Sequence, residues 1–314
     1  MIKAAIDIGT NSVRLLVAEW RDGRLHPLYR DLASTRLGQG VQHSGALSAD
    51  AIARTVRAVA DMVRAARARG ADEVVAFATS AVREAVNGLR FAHLCRDLAG
   101  VEVHIFDAMT EARLAYAGAM LGDTGPGGCL VVDIGGGSTE LAYGQGEVLQ
   151  VAESLKLGAV RLAELFPAGQ GGVVSDLSAV NDYIGAALAA APRLPWPSRL
   201  IGVGGTATSL AAIKQQLTVY DSAKVHGFYL TLGDIESLLA ELAALSLDER
   251  RRVPGLQPER ADIIVYGAAI LAAVVKRFGA DGVTVSEQDI LEGVVNYLAV
   301  YHGAWRFDKK LPIL

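Results

Sequence analysis

Cysteine is almost absent from this 314-residue chain, which carries only Cys95 and Cys129. Two isolated cysteines supply neither a disulfide framework nor a metal-type spacing. The six histidines never fall three to five residues apart, so no zinc site is signalled either. Charge of one sign is not in excess: 30 Lys and Arg face 34 Asp and Glu, a net charge of −4. A nucleic-acid partner would require clustered Lys and Arg on a basic domain, and none is expected. The longest apolar run, residues 263–275, has 13 residues between Asp262 and Lys276. A membrane span needs ~20, so no membrane partner is expected. Disorder is excluded by a composition that is 51% hydrophobic and only 20% charged. The opening Met1-Ile2-Lys3-Ala4-Ala5-Ile6-Asp7 reads as a strand and not as a leader. Together with the reduced cysteines, this makes the cytoplasm the expected compartment.

What the chain does have is glycine, 34 residues of it, several clustered just after apolar runs. Comparing the sequence with itself explains the clustering. Asp7-Ile8-Gly9-Thr10-Asn11-Ser12-Val13-Arg14-Leu15 aligns with Asp133-Ile134-Gly135-Gly136-Gly137-Ser138-Thr139-Glu140-Leu141, five of nine positions being identical at an offset of 126. A second pair follows at an offset of 127: a strand at 74–78 leading into Thr79-Ser80-Ala81-Val82-Arg83, and a strand at 200–203 leading into Gly204-Gly205-Thr206-Ala207-Thr208. Helical periodicity from Ile52 to Val63 after Ser48, a strand near 101–106 and a helix from Met109 to Leu121 complete the first half. A strand at 282–286 and a helix from Asp289 to Tyr301 are their counterparts. The expected fold is α/β, two duplicated α/β domains with a cleft between them: an N-terminal domain 1–122 and a C-terminal domain 123–314. Residues 123–128 read as the hinge, and the last 10–15 residues, with Trp305, Phe307, Leu311 and Ile313, are expected to pack back on the first domain.

The repeated loop has a chemical reading. Asp-Ile-Gly-x-x-Ser sets a carboxylate at a strand end, then glycines that turn successive backbone N–H groups towards an anion. Ser and Thr hydroxyls add donors, and a nearby acid can hold a divalent cation that bridges phosphate oxygens. Two such loops facing each other across a hinge would clamp a phosphate chain. Gly202-Val203-Gly204-Gly205-Thr206-Ala207 also matches a dinucleotide fingerprint, but it repeats the position of Thr79 to Ala85, which lacks those glycines. Neither a P-loop nor a serine-hydrolase elbow is present in the sequence.

These motifs resemble the exopolyphosphatase/guanosine pentaphosphate phosphatase family of the actin-like ATPase superfamily. The resemblance runs through Asp7 to Leu15, Ala78-Thr79-Ser80-Ala81-Val82-Arg83-Glu84-Ala85-Val86-Asn87-Gly88, Glu111-Ala112-Arg113-Leu114, Asp133 to Leu141, Leu155 to Leu162, Gly202 to Ala212 and Glu259-Arg260-Ala261-Asp262. It implies two actin-like (ribonuclease H-like) domains and Mg²⁺-dependent hydrolysis, Mn²⁺ being the alternative metal. The implied substrate is the terminal phosphoanhydride of inorganic polyphosphate, with the 5′ γ-phosphate of guanosine pentaphosphate as the alternative. By the same resemblance Glu111 activates the attacking water and Arg83 grips phosphate. Asp133, Glu140 and Asp7 are the implied metal ligands. Asn11, Ser12, Arg14, Gly136, Gly137, Ser138, Thr139, Gly205 and Thr206 are the implied phosphate binders, with Lys156, Arg161 and Lys214 placed to guide a polyphosphate tail.

Arg14 occupies the repeat position of Glu140, a sign swap that would give one domain a cation and the other a metal ligand. The chain departs from the family pattern at Ser286-Glu287-Gln288-Asp289-Ile290-Leu291-Glu292-Gly293, where Leu291 stands at a position many members fill with arginine. Two further readings compete with a hydrolase: a kinase of the same superfamily, and a binding protein that closes on a phosphorylated alarmone without turning it over. A homodimer is the expected assembly, since two-fold dimers dominate soluble oligomers.

Overall fold

A computed structural model describes residues 1–123 and 125–300, which form two compact units. The first comprises Met1–Leu121 and, among the described residues, 289–300; the second is Gly122–Gln288. Residues 123–314 were expected as one domain, yet the helix Ile290–Val300 belongs to the first unit. Thr124 of the expected hinge, Tyr301 at the end of the expected last helix, and the segment 305–314 lie outside the described residues.

The first unit is built on five strands: β1 (Ile2–Ile8), β2 (Val13–Arg21), β3 (Arg24–Ala33), β4 (Glu73–Ala78) and β5 (Val103–Ile105). They lie in the order β3-β2-β1-β4-β5. The first three form an antiparallel meander, and β4 and β5 run parallel to β1. Asp22 and Gly23 both take positive φ, 55° and 72°, the conformation a two-residue hairpin turn requires. Alternation along β1 sorts its side chains. Ala4, Ile6 and Ile8 pack with Val56, Val59, Met62 and Val63 of the helix Ala49–Ala68, which opens on a Ser48 cap.

Ala5 faces the other way, in a cluster with Leu16, Val75, Phe77, Leu114, Leu291, Val294, Val295 and Leu298. The helices Ala108–Ala119 and Ile290–Val300 cover this second face. Burial of each Leu or Val there stabilises the fold by about 1.5–3 kcal/mol, which is why the apolar helix 290–300 is held by this sheet. The two helices cross backbone to backbone: a Cβ on Gly118 would lie 1.7 Å from the Asp289 carbonyl oxygen, and one on Gly293 2.0 Å from that of Leu114. Leu291, at the position of the family arginine, is part of this apolar core.

The second unit repeats the plan with β6 (Gly128–Ile134), β7 (Thr139–Gln145), β8 (Val148–Leu155), β9 (Arg199–Val203), β10 (Tyr229–Thr231) and β11 (Gly282–Val285). Their order is β10-β11-β9-β6-β7-β8, so β6, β7, β8, β9 and β11 correspond to β1 through β5, and β10 is an added edge strand. The apolar run found in the sequence becomes the helix Ile264–Arg277, buried in this unit's core with Leu130, Val132 and Ile134 of β6.

Candidate active site

Each glycine loop closes in the same way. Gly9 N donates to the Ser12 carbonyl at 3.0 Å, and Gly135 N donates to the Ser138 carbonyl at 3.0 Å. The duplication is therefore one of backbone geometry as well as of letters. In the second unit the carbonyls of the loop are tied down by the start of the helix Ala159–Leu165. Ala159 N donates to Gly135 O at 3.0 Å, and Val160 N and Arg161 N to Gly136 O at 2.9 and 3.0 Å. Gly158 makes that approach feasible, because a Cβ there would lie 2.3 Å from Gly136 O. With the carbonyls engaged, the amides of Gly136, Gly137 and Ser138 donate to no partner among the described residues, and neither do those of Thr10, Asn11 and Ser12. Runs of three unused N–H groups are what an oxyanion needs.

Glu111 lies in the first turn of the helix Ala108–Ala119, which the Asp107 side chain caps through Thr110 N at 2.7 Å. Although charged, it is 8% exposed. Arg83, from the helix Ser80–Glu84 after β4, donates through Nη1 to Glu111 Oε2 at 2.7 Å and to the Phe106 carbonyl at 2.9 Å. The two charges thus form a partly buried pair with each other. Oε1 of Glu111 has no hydrogen bond among the described residues. Burial pushes the Glu111 carboxyl up to about 7; Arg83 opposes the rise, and Asp7 and Glu84 reinforce it. A carboxyl poised there can take a proton from water near neutral pH.

The strand registers set Asp7 opposite Arg14 and Asp133 opposite Glu140. In the first unit the pair is ionic: Arg14 Nε and Nη2 reach Asp7 Oδ2 at 3.0 and 2.6 Å, and Nη1 donates to Asp289 Oδ2. Asp7 Oδ1 is buried with no hydrogen-bond partner, an arrangement that costs about 1–3 kcal/mol unless a ligand repairs it. Burial raises the Asp7 pKa despite Arg14. In the second unit the same positions are both acidic. Glu140, 2% exposed, accepts from Ser154 Oγ at 2.7 Å. Asp133 lies against Gly204, whose φ is +75° and where a Cβ would stand 2.5 Å from Asp133 Oδ1.

A sequence model of the Ppx/GppA phosphatase family matches residues 16–302. The chain belongs to that family. It is 35% identical over 314 residues to exopolyphosphatase 2 of Mycobacterium tuberculosis, covering 94% of this chain and 98% of that protein. Among solved structures it is similar to the Aquifex aeolicus Ppx/GppA family member, with 30% identity and a TM-score of 0.82 over 96% of this chain and 98% of that one. An exopolyphosphatase from Cytophaga hutchinsonii gives 25% identity and a TM-score of 0.86 over 96% and 98% of the two chains. The two mixed sheets are the actin-like fold of this phosphatase family.

Not every residue expected at a Ppx/GppA site is free to meet phosphate. The Thr139 hydroxyl donates to Leu157 O at 2.7 Å and the Thr206 hydroxyl to Ile134 O at 3.4 Å. Both hydroxyls hold their own loops in place. Arg161 Nε donates to Gly137 O at 2.8 Å, and Lys214 pairs with Asp234 at 2.6 Å, so two of the three expected tail-guiding cations have local partners. Asn11 Nδ2 lies 3.3 Å from Ser12 Oγ, within the first loop. The sequence reading gave no role to Arg260, whose guanidinium lies so close to Gly205 that a Cβ there would be 1.8 Å from Nη1. Its only signal was its place in the Glu-Arg-Ala-Asp segment.

The donor chemistry also tests the implied metal. Mg²⁺ takes hard oxygen ligands, retains several waters and needs only one or two carboxylates when it shares substrate phosphates. Among the described residues no group of three or more His, Cys, Asp or Glu could cage an ion. Within the second unit, Asp133 and Glu140, set opposite each other, fit a metal held jointly with substrate; within the first, Asp7 offers one orphaned oxygen. They do not fit one enclosed by protein alone.

Proposed function

We propose that this phosphatase removes the terminal phosphate of inorganic polyphosphate, with Mg²⁺ as its cofactor and Glu111 activating the attacking water. The observation that carries the reading is Glu111 itself, buried, fixed by Arg83 and raised to about 7. The names of its exopolyphosphatase relatives supply the substrate class. In the reaction, water is oriented at Glu111 Oε1 and gives that oxygen a proton as its own oxygen bonds to the terminal phosphorus. The anhydride bond to the next phosphate breaks, and the electron pair leaves on the shortened chain. Orthophosphate is the other product. The unused amides of a glycine loop would bind the non-bridging oxygens, where negative charge is spread in the transition state. Asp133 with Glu140 in the second unit, and Asp7 in the first, are our candidates for holding Mg²⁺, which would neutralise phosphate charge when bound. We further take the enzyme to be a cytoplasmic homodimer.

The test is phosphate release with Mg²⁺ from short polyphosphate, long polyphosphate and guanosine pentaphosphate, beside a Glu111→Gln variant and an EDTA-treated sample. Release from polyphosphate that collapses in the variant and with EDTA is the expected result. Release only from guanosine pentaphosphate would replace the substrate. Tight binding with no release would replace the enzyme with a sensor.

A further inference from the structure

The corner of the first unit around Asp7 holds five charged groups in one chain of contacts. Arg14 bridges Asp7 and Asp289, and Arg30 pairs with Glu292. Asp289 is itself immobilised: its Oδ1 accepts from Leu291 N at 3.0 Å, and its own N–H donates to Glu292 Oε2 at 2.9 Å. This reciprocal capping fixes the start of the helix Ile290–Val300, and the Gly118–Gly293 crossing fixes the helix.

An arginine meeting a single carboxylate commonly sets one N–H on each oxygen, a two-pronged fork. Arg14 does not. Both of its Asp7-facing nitrogens converge on Oδ2, and the remaining one, Nη1, is drawn to Asp289. The consequence is the orphaned Asp7 Oδ1. We infer that Asp289 is a positioning residue for Asp7, holding Arg14 turned so that one Asp7 oxygen stays open to a hard cation. Two guanidinium groups against three carboxylates leave the cluster one negative charge in excess. That balance suits a divalent cation. Arg14 then serves the metal side of the site and does not touch substrate. The same geometry accounts for Leu291: cationic charge in this corner comes from Arg14 and Arg30, so position 291 is spent on the apolar core.

The inference rests on the Mg²⁺-dependent reading above, and its test separates the two. Asp289→Asn retains an oxygen to cap Leu291 N but loses the charge that holds Nη1. Arg14 is then released to fork across both Asp7 oxygens. Mn²⁺ binding, followed by electron paramagnetic resonance without substrate, is expected to weaken about 10- to 100-fold, the usual effect of losing an outer partner of a metal ligand. The Mg²⁺ concentration for half-maximal phosphate release rises in parallel, while kcat at saturating Mg²⁺ stays close to that of the native enzyme. Adding Arg14→Met to Asp289→Asn removes the competing guanidinium and restores Mn²⁺ binding, a rescue that a merely structural role would not produce. Thermal melting of each variant confirms a cooperative fold. Unchanged Mn²⁺ affinity in a folded Asp289→Asn protein, or a loss that the double variant does not relieve, overturns the inference. Mn²⁺ binding that responds to Asp289 in a protein releasing no phosphate supports it while removing the phosphatase reading.

Discussion

Arg83 uses one nitrogen for two oxygens: its Nη1 lies 2.7 Å from Glu111 Oε2 and 2.9 Å from the Phe106 carbonyl. The carbonyl belongs to the residue just after β5, so the arginine ties the glutamate to the edge of the sheet. Oε2 is thereby held, and Oε1 has no hydrogen bond among the described residues.

Replacing Glu111 by glutamine keeps the shape and one acceptor but removes the carboxylate proposed as the base. Phosphate release is expected to fall by roughly 10²- to 10⁴-fold, the range for loss of general base catalysis. Substrate affinity should change far less, which equilibrium binding to the variant would read.

The raised pKa of Glu111 also makes a pH prediction. Only the carboxylate accepts a proton, so kcat/KM should climb with pH through an inflection near the folded value of about 7. Stability runs the other way. The ordinary value is 4.5 and the folded one lies above it, so the folded state binds the extra proton. That contribution is full below 4.5 and is lost as pH rises through about 7. Melting profiles against pH should show the decline in the native protein and its reduction in Glu111→Gln.

Arg83→Met removes the opposing charge and the hydrogen bond together. The Glu111 carboxyl should then titrate higher, by one to three units for loss of an adjacent cation. The acid limb of the pH–rate profile would move to higher pH, and an unmoved limb would separate Arg83 from Glu111 titration. Arg83→Lys should move it less.

Gly118→Ala and Gly293→Ala each force a methyl group into a backbone carbonyl across the helix crossing. Overpacking of this kind costs about 1–3 kcal/mol or more. For a chain of this size each kcal/mol is worth roughly 2–4 °C in melting temperature. Calorimetry on the two single variants and the double should show losses that do not add, since both overpack the same crossing.

The duplicated sheets and both glycine loops were legible because their signals are local: a carboxylate at a strand end, glycines, then Ser, repeated at an offset of 126. The opposition of Arg14 and Glu140 across the repeat could likewise be read by aligning the copies, and the strand registers place each opposite its aspartate. The Arg83–Glu111 pair needed the resemblance, since 28 residues separate its members and either charge could equally have faced solvent. The home of the helix Ile290–Val300 was not legible. Its apolar pattern says only that it needs a sheet, and the choice between two sheets rests on the glycine-to-carbonyl fit with Leu114 and Gly118. The partners of the Thr139 and Thr206 hydroxyls were not legible for a related reason: a buried hydroxyl finds the nearest carbonyl, and sequence does not reveal which carbonyl is near.

Because the first unit is assembled from both sides of the second, its order of synthesis differs from its order in space. When Leu121 has been translated, the sheet face bearing Ala5, Leu16 and Phe77 still lacks Leu291, Val294 and Leu298. The ribosome must add the whole of Gly122–Gln288 before that cover exists, a delay of roughly 10–30 s at translation rates of ~5–20 residues per second. For that interval the nascent chain carries an open apolar surface, and whatever shields it in the cell governs how much enzyme reaches its finished form.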